Sequence, residues 1–449
     1  MVSFYKPAKK SSRQAGPKIL NKIYIDELDM QGQGVSTSHE PVLFVDGALP
    51  GETVDVQVTV SQKHVLKGKV KKRIATSAER QTPFCPHYAQ CGGCQLQHID
   101  PDSALVQRQH AMDAYWQRQL KLDALPWQPA ISGPRPAYRR KARLAVDARD
   151  PQRVRLGYRQ EGSKKIVDVT ECPILVPPLQ ALITPMRTVL HAHAGSRFIG
   201  HIHLLAGDNL CQVTLKATRD LSDTMLADWQ ALATEHQFNL VLLDARNKTH
   251  ILHQHDTLVC QTEADLTLSP EAEDFVQVNG PVNQQMIAQA MRWLDPQPQD
   301  VIADWFAGLG NFSLSLARRA AQVHAVEGVA SMVHKAQSNA QAQGITNLHC
   351  VHLDLSDGQQ VQQALGGQFT KILLDPSREG AAQVCQQLAS TAIQQVLYVS
   401  CNPSSFTRDA GYLMNAGYRI EKISLIEMFP YTRHLEVMAL FTRSLDAGQ

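Results

Sequence analysis

Two rhythms of apolar residues divide this chain. From Ile19 onward, short β-type runs are broken by turn residues: Lys22 to Leu28, then Gly32 and Gly34, Val42 to Val45, Asp46-Gly47, and the alternating Val54, Val56, Val58 and Val60. Several short strands in so small a segment predict a β-barrel. The C-terminal part repeats a different unit, an apolar strand followed by a helical stretch. Val301 to Phe306 is a strand, Ala307-Gly308-Leu309-Gly310-Asn311 a turn, and Phe312 to Ala320 a helix. Strands Val323 to Val326, Leu348 to His352, Lys371 to Leu374 and Gln395 to Ser400 follow, with a helix reaching Ala342, and Val437 to Phe441 is the last strand. Strands alternating with helices predict an α/β class with a parallel, Rossmann-like nucleotide-binding sheet.

Length and composition narrow the class. The chain has 449 residues, 43% hydrophobic and 19% charged, enough for several domains and ordinary for a globular protein, so a single small binding module is excluded. No apolar run approaches the roughly 18 residues of a membrane span, and Met1 to Lys22 lacks the apolar stretch of a secretory signal, so the expected compartment is the cytoplasm. There the nine cysteines are expected as reduced thiols, metal ligands or a nucleophile.

Charge is distributed unevenly. Residues 1–80 hold 13 Lys and Arg against 8 Asp and Glu, a net of +5 in a chain whose total is +2. Residues 1–18, with Lys6, Lys9, Lys10, Arg13 and Lys18, read as a mobile basic tail. The run Val65 to Ile74 carries Lys67, Lys69, Lys71, Lys72 and Arg73, a basic edge suited to tracking phosphates. Further on, Tyr138-Arg139-Arg140-Lys141 with Arg143, Arg153, Arg155 and Arg159 reads equally as an RNA contact or as an exposed strand with extended basic side chains. His191, His193, His201 and His203 lack acidic or thiol partners at ligand spacing and are expected as ordinary surface or satisfied histidines.

Three cysteines, Cys85, Cys91 and Cys94, fall within ten residues around Gly92-Gly93, and Cys172 lies in Glu171-Cys172-Pro173. Four thiolates suit tetrahedral zinc or an iron–sulfur cluster, and spacing alone does not separate the two.

The glycine turn lacks a full GxGxxG, and successive strands lead to acids: Glu327, Asp354 and Asp375. A ring of carboxylates repels a dinucleotide pyrophosphate but accepts a cationic sulfonium bearing adenosine, so S-adenosylmethionine is the expected cofactor. Cys401 stands at a strand end, where ligands gather in open α/β sheets, and Glu436 precedes the last strand. A cysteine paired with a base has a defined use on uracil. Thiolate addition at C6 makes C5 nucleophilic, and a base must then remove the C5 proton. Asp375 is available to accept the uracil N3–H or to contact the cofactor.

These segments resemble known families. The N-terminal run resembles the TRAM domain, an OB-like RNA-binding barrel. Phe84 to Gln97, Tyr138 to Val146, Leu156 to Leu175, Phe275 to Asn283, Asp304 to Ala317, Leu374 to Arg378, Ser400 to Pro403 and Phe429 to Phe441 resemble the uracil-5 RNA methyltransferases. The resemblance implies four segments: a tail over 1–18, a TRAM barrel over 19–80, a central α+β iron–sulfur domain over 81–265 and a catalytic domain over 266–449. It implies Cys401 as nucleophile and Glu436 as base. Cofactor contacts are implied at Gln277, Phe306, Asn311, Glu327, Asp354 and Asp375. Ligation of a 4Fe-4S cluster is implied at Cys85, Cys91, Cys94 and Cys172. Barrel and cysteines together point to the members that act on 23S ribosomal RNA, with no obligate protein partner. Trp305, Ala307 and Ser377 depart from the Leu, Cys and Ala that the resemblance leads one to expect, beside the contacts and not at them.

Overall fold

The protein was analysed as a computed structural model that describes residues 18–367 and 369–443. Of the expected basic tail, all but Lys18 lies outside the described residues. The chain forms two compact units: residues 1–82 with 98–111, and residues 83–97 with 112–449.

The first unit is a six-stranded sheet of β1 (Ile19–Tyr24), β2 (Glu27–Leu28), β3 (Gly34–Ser36), β4 (Val42–Asp46), β5 (Thr53–Ser61) and β6 (Val65–Ala75), ordered β1-β5-β6-β4-β3-β2. The run expected over Lys22 to Leu28 is thus divided between β1 and β2. Ile25, Leu43, Val45, Val54, Val56 and Leu66 form its core, which explains the valine alternation in β5. Lys67, Lys69, Lys71, Lys72 and Arg73 of β6 are exposed.

In the second unit, α1 (Pro101–Leu120) contributes its C-terminal half. Trp116, fully buried there, stacks on Trp127 with ring centroids 5.9 Å apart. A seven-stranded sheet follows: β7 (Lys141–Asp147), β8 (Arg155–Arg159), β9 (Ile166–Asp168), β10 (Ile199–Ala206), β11 (Cys211–Ala217), β12 (Asn239–Leu243) and β13 (Thr249–His253). Its order is β13-β12-β11-β10-β7-β8-β9. Helices α2 (Pro177–Ala192) and α3 (Asp223–Glu235) bury Leu179, Ile183, Met186, Met225 and Trp229 in the adjoining core. The hairpin β14 (Cys260–Glu263) and β15 (Leu266–Leu268) leads to α4 (Gly280–Leu294).

The last layer alternates as predicted: β16 (Val301–Trp305), α5 (Ser313–Ala317), β17 (Gln322–Glu327), α6 (Ala330–Ala342), β18 (Leu348–His352), α7 (Gly358–Leu365), β19 (Lys371–Leu374), α8 (Ala382–Gln387), β20 (Gln395–Ser400), α9 (Pro403–Asn415), β21 (Arg419–Ile426) and β22 (Glu436–Thr442). The sheet order is β18-β17-β16-β19-β20-β22-β21, with β16 to β20 parallel and β22 antiparallel to both neighbours. Helix α5 is shorter than the predicted Phe312 to Ala320. Glu436, expected ahead of the last strand, is its first residue.

One continuous core runs from Ile131 and Leu144 through Leu204 and Met286 to Val399 and Leu440, across the boundary expected at residues 265 and 266. The central and catalytic segments therefore do not separate into two cores. Among the described residues, no helix is long and apolar enough to cross a membrane.

Candidate active site

Strand order reverses between β16 and β19, where open parallel sheets leave a crevice above their C-terminal ends. The glycine turn after β16 enters that crevice. Phe306 and Ala307 donate their N–H groups to the Val326 carbonyl at 2.8 and 3.2 Å, which pulls the chain into a tight turn. Phe306 has φ +65°, Gly308 +56° and Gly310 +94°. Glycine tolerates such values, and at Phe306 they store strain that the carbonyl contact offsets. Nothing stands within 4 Å of the position a Cβ would take on Gly308, so the turn presents open backbone to a ligand.

Glu327, at the end of β17, is fixed by two backbone groups. Its Oε2 accepts from Gly308 N–H at 3.0 Å and its Oε1 from Val329 N–H at 2.9 Å. Asn311 exchanges two amide bonds of 2.9 Å with Asn283 of α4, locking the turn to that helix. Gln277 is buried, and its carbonyl accepts from Arg140 Nε at 2.8 Å.

The expected nucleophile lies on the other side of the switch point. Cys401 bridges β20 and α9. Asn402 caps α9 through Oδ1, which accepts from Ser404 N–H at 3.1 Å, and its Nδ2 donates to the Arg378 carbonyl at 2.8 Å. The loop after β19 is held from below by the buried Asp409, whose carboxylate accepts from Ala381 N–H at 2.6 Å and Tyr398 Oη at 2.7 Å.

Together these elements wall one cavity of about 710 Å3 that includes Gln277, Phe306, Asn311, Glu327, Asp375, Cys401 and Glu436. Seven of the eight expected cofactor and catalytic positions therefore meet. Asp354 does not: it is exposed, and its carboxylate accepts from Ser356 N–H and Oγ at 3.0 and 2.7 Å. Ala307 and Ser377, expected only to flank contacts, also wall the cavity.

Burial dominates the electrostatics. It pushes the carboxyl groups of Asp375 up to about 7 and Glu436 up to about 8, the latter with help from Asp375. Asp304, fully buried beneath the turn, rises to about 7 despite a bond from Ser313 Oγ. The Cys401 thiol is raised to about 11 by burial and by the carboxyls of Glu436 and Asp375, while Arg378 acts in the opposite sense. Glu436 Oε2 is buried without a hydrogen-bond partner. A buried acceptor in that state is costly unless a ligand uses it.

Several wall residues carried no decisive sequence signal. Arg139 and Arg140, read as RNA contacts or an exposed strand, wall the cavity, and the burial of Arg140 removes the exposed-strand reading there. Gly92, Gly93 and Gln95 from the cysteine segment and Phe429, Thr432 and His434 from the loop before β22 join them. Proximity along the chain does not reveal neighbours that meet across more than 300 residues.

The four cysteines also converge. Cys85, Cys91, Cys94 and Cys172 wall a separate cavity of about 140 Å3 with Tyr88, Gln97 and Tyr158. Burial raises all four thiols, Cys94 to about 12 and Cys172 to about 11. Among the described residues, no group of three or more His, Cys, Asp or Glu is spaced to hold a metal ion, a finding that bears alike on zinc and on the expected 4Fe-4S cluster. His193 pairs with Asp228 at 2.7 Å and His203 with Glu273 at 2.9 Å.

A family profile described as tRNA (Uracil-5-)-methyltransferase matches residues 129–444. The chain belongs to this family. A TRAM-domain profile matches residues 22–71 within the first unit. Members of the uracil-5 methyltransferase family align over almost the whole length. A protein of Alteromonas naphthalenivorans named 23S rRNA (uracil(1939)-C(5))-methyltransferase RlmD is 48% identical, covering 94% of this chain and 89% of its own. A Vibrio vulnificus protein of the same name is 38% identical, over 99% and 100%. The fold matches the crystal structure of Pyrococcus abyssi tRNA (uracil-54, C5)-methyltransferase in complex with S-adenosyl-L-homocysteine. Its TM-score is 0.72 at 20% identity, covering 94% of this chain and 100% of that one.

Proposed function

We propose that this protein methylates C5 of a uridine in 23S ribosomal RNA, with S-adenosylmethionine as donor and Cys401 and Glu436 as the reacting side chains. The observation that carries the reading is that a thiol and a partnerless buried carboxyl wall the cavity into which the glycine turn opens. Ribosomal RNA is favoured over transfer RNA by full-length similarity to relatives named as 23S enzymes.

The donor set fits the cofactor. Glu327 presents carboxylate oxygens suited to ribose hydroxyls, Gly308 leaves room, and buried carboxyl groups favour a cation. Gln277, Phe306, Asn311, Glu327 and Asp375 would hold it. When bound, S-adenosylmethionine supplies the methyl group that C5 acquires.

This chain's residues supply the rest. Cys401, as thiolate, forms a bond to C6 of uracil, and the electron pair of the ring double bond moves toward C5 and O4. Arg378 offsets part of the cost of that thiolate. As the alternative to its cofactor contact, Asp375 would accept the uracil N3–H. After methylation, Glu436 removes the C5 proton, the double bond reforms, and the bond from C6 returns its electron pair to the Cys401 sulfur.

Four thiols wall the cysteine cavity, and burial makes bare thiolates there expensive without a bound metal, which supports the 4Fe-4S cluster that the resemblance implies. Cys85, Cys91, Cys94 and Cys172 would hold the cluster, which supplies soft ligation that ties residues 85–94 to Cys172.

The test is to map 5-methyluridine in 23S ribosomal RNA from a strain lacking the gene, then with the chain or Cys401→Ala restored. The methyl mark should return only with the intact chain. Its return with Cys401→Ala would refute the nucleophile.

A further inference from the structure

The cysteine segment does more than wall its own cavity, because it is tied to the loop over residues 429–435 that delivers Glu436. Gln95 and Leu96 both donate backbone N–H groups to the Tyr431 carbonyl at 2.9 Å. The Gln95 side chain is oriented by its own bond from Nε2 to the Gly92 carbonyl at 2.7 Å, which leaves Oε1 to accept from Arg433 N–H at 3.4 Å. Tyr138 is buried between Ala137 and Arg139, whose N–H groups donate to the Pro173 and Ile174 carbonyls next to Cys172 at 3.0 and 2.8 Å, and it donates its own hydroxyl to the Pro430 carbonyl at 3.2 Å. The ring of Phe84, beside Cys85, meets Tyr431 edge-on with centroids 5.0 Å apart.

Tyr431 gives these contacts meaning. It is buried and has φ +64°, a left-handed conformation that costs a bulky residue energy and persists only where surroundings over-determine it. The surroundings here are the cysteine segment. The loop is also bonded within itself, by Thr432 Oγ1 to the Phe429 carbonyl at 2.9 Å and His434 N–H to Thr432 Oγ1 at 3.2 Å, so displacement at Tyr431 carries along to Glu436.

We propose that Gln95 and Tyr138 are positioning residues for the removal of the C5 proton, acting by strapping residues 429–435, and with them Glu436, to the segments that carry Cys91 and Cys94 and, beside Tyr138, Cys172. The proposal rests on the covalent reading above, in which proton removal is a separate late step. It assigns to the cysteine segment an effect on one half of the reaction, since Cys401 and the glycine turn are held by other elements.

Gln95→Met removes the acceptor at nearly constant size, and Tyr138→Phe removes the donor while keeping the ring. In single turnover with uridine RNA, Tyr138→Phe, at a residue outside the cavity wall, should transfer the methyl group within about twofold of the unsubstituted chain. Release of methylated RNA should slow, by about tenfold in the double variant, with the covalent adduct accumulating on denaturing gels. Amide hydrogen exchange over residues 429–435 should quicken in the double variant, a readout independent of activity. Unchanged release in the double variant, or equal slowing of transfer and release without faster exchange, would overturn the strap. RNA carrying 5-fluorouridine, which has no C5 proton to lose, tests the underlying reading separately. The unsubstituted chain should be trapped on it as a covalent complex; if none forms, the covalent reading fails while the exchange measurement still decides the strap.

Discussion

Glu436 shows what a buried carboxyl offers a reaction and what it costs the fold. Its protonated form is favoured until about pH 8, against an ordinary value near 4.5. With Glu436 as the proposed base, methylated product should be released faster as pH rises toward 8, because that group must first lose its own proton. For stability the sign is opposite. A raised carboxyl carries no penalty below the unfolded value, an increasing penalty between the two values, and the full penalty above pH 8. Glu436→Gln should gain stability relative to the unsubstituted chain as pH climbs from 5 to 8, on the order of 2 kcal/mol near neutrality, visible in thermal melts. The same variant should halt the reaction after methyl transfer and accumulate the RNA adduct. Normal release by it would move the base to another residue.

At the scale of elements, the strand ends that hold the site were readable because buried parallel strands announce themselves as apolar runs, and the residue after each run is where ligands meet. Glu327, Asp375 and Cys401 were found that way. Asp354 satisfied the same pattern, yet β18 is the edge strand and its acid turns to Ser356; an apolar run does not disclose whether its strand lies next to the crevice. Arg139, Arg140 and Gln95 were illegible for a different reason: they reach the cavity from other layers, and no local periodicity encodes that. The glycine turn offers a direct check. At Gly310, φ +94° disfavours any side chain although a Cβ would have 3.7 Å of room beside Leu314. Gly310→Ala should thus cost about 1–2 kcal/mol of strain and weaken S-adenosylmethionine binding about tenfold by calorimetry. Unaltered binding would show that the turn tolerates a different backbone path.

At the scale of the whole molecule, charge is the property most open to measurement. Exposed Lys67 and Lys69 alternate along β6, and exposed Lys71 follows where the register against β5 shifts, so the strand carries a run of cations. Replacing all three by Gln should weaken RNA binding at low salt and lower the slope of log K against log salt by about 0.7 for each single-strand phosphate left without its cation, with methyl transfer at saturating RNA nearly unchanged. An unchanged slope would place the RNA elsewhere.

The N-terminal unit is not one uninterrupted stretch. It takes back residues 98–111, where Gln81 N–H donates to the His98 carbonyl at 3.0 Å, Gln81 Nε2 to the Ile99 carbonyl at 2.9 Å, and Arg108 Nε to the Met30 carbonyl at 2.9 Å. Trimming the gene after codon 82 would leave that returning stretch stripped of its neighbours, and grafting only the first 82 residues onto another enzyme would transplant an unfinished module. A cut that keeps the unit whole falls after residue 111, and it carries Cys85, Cys91 and Cys94 away from Cys172.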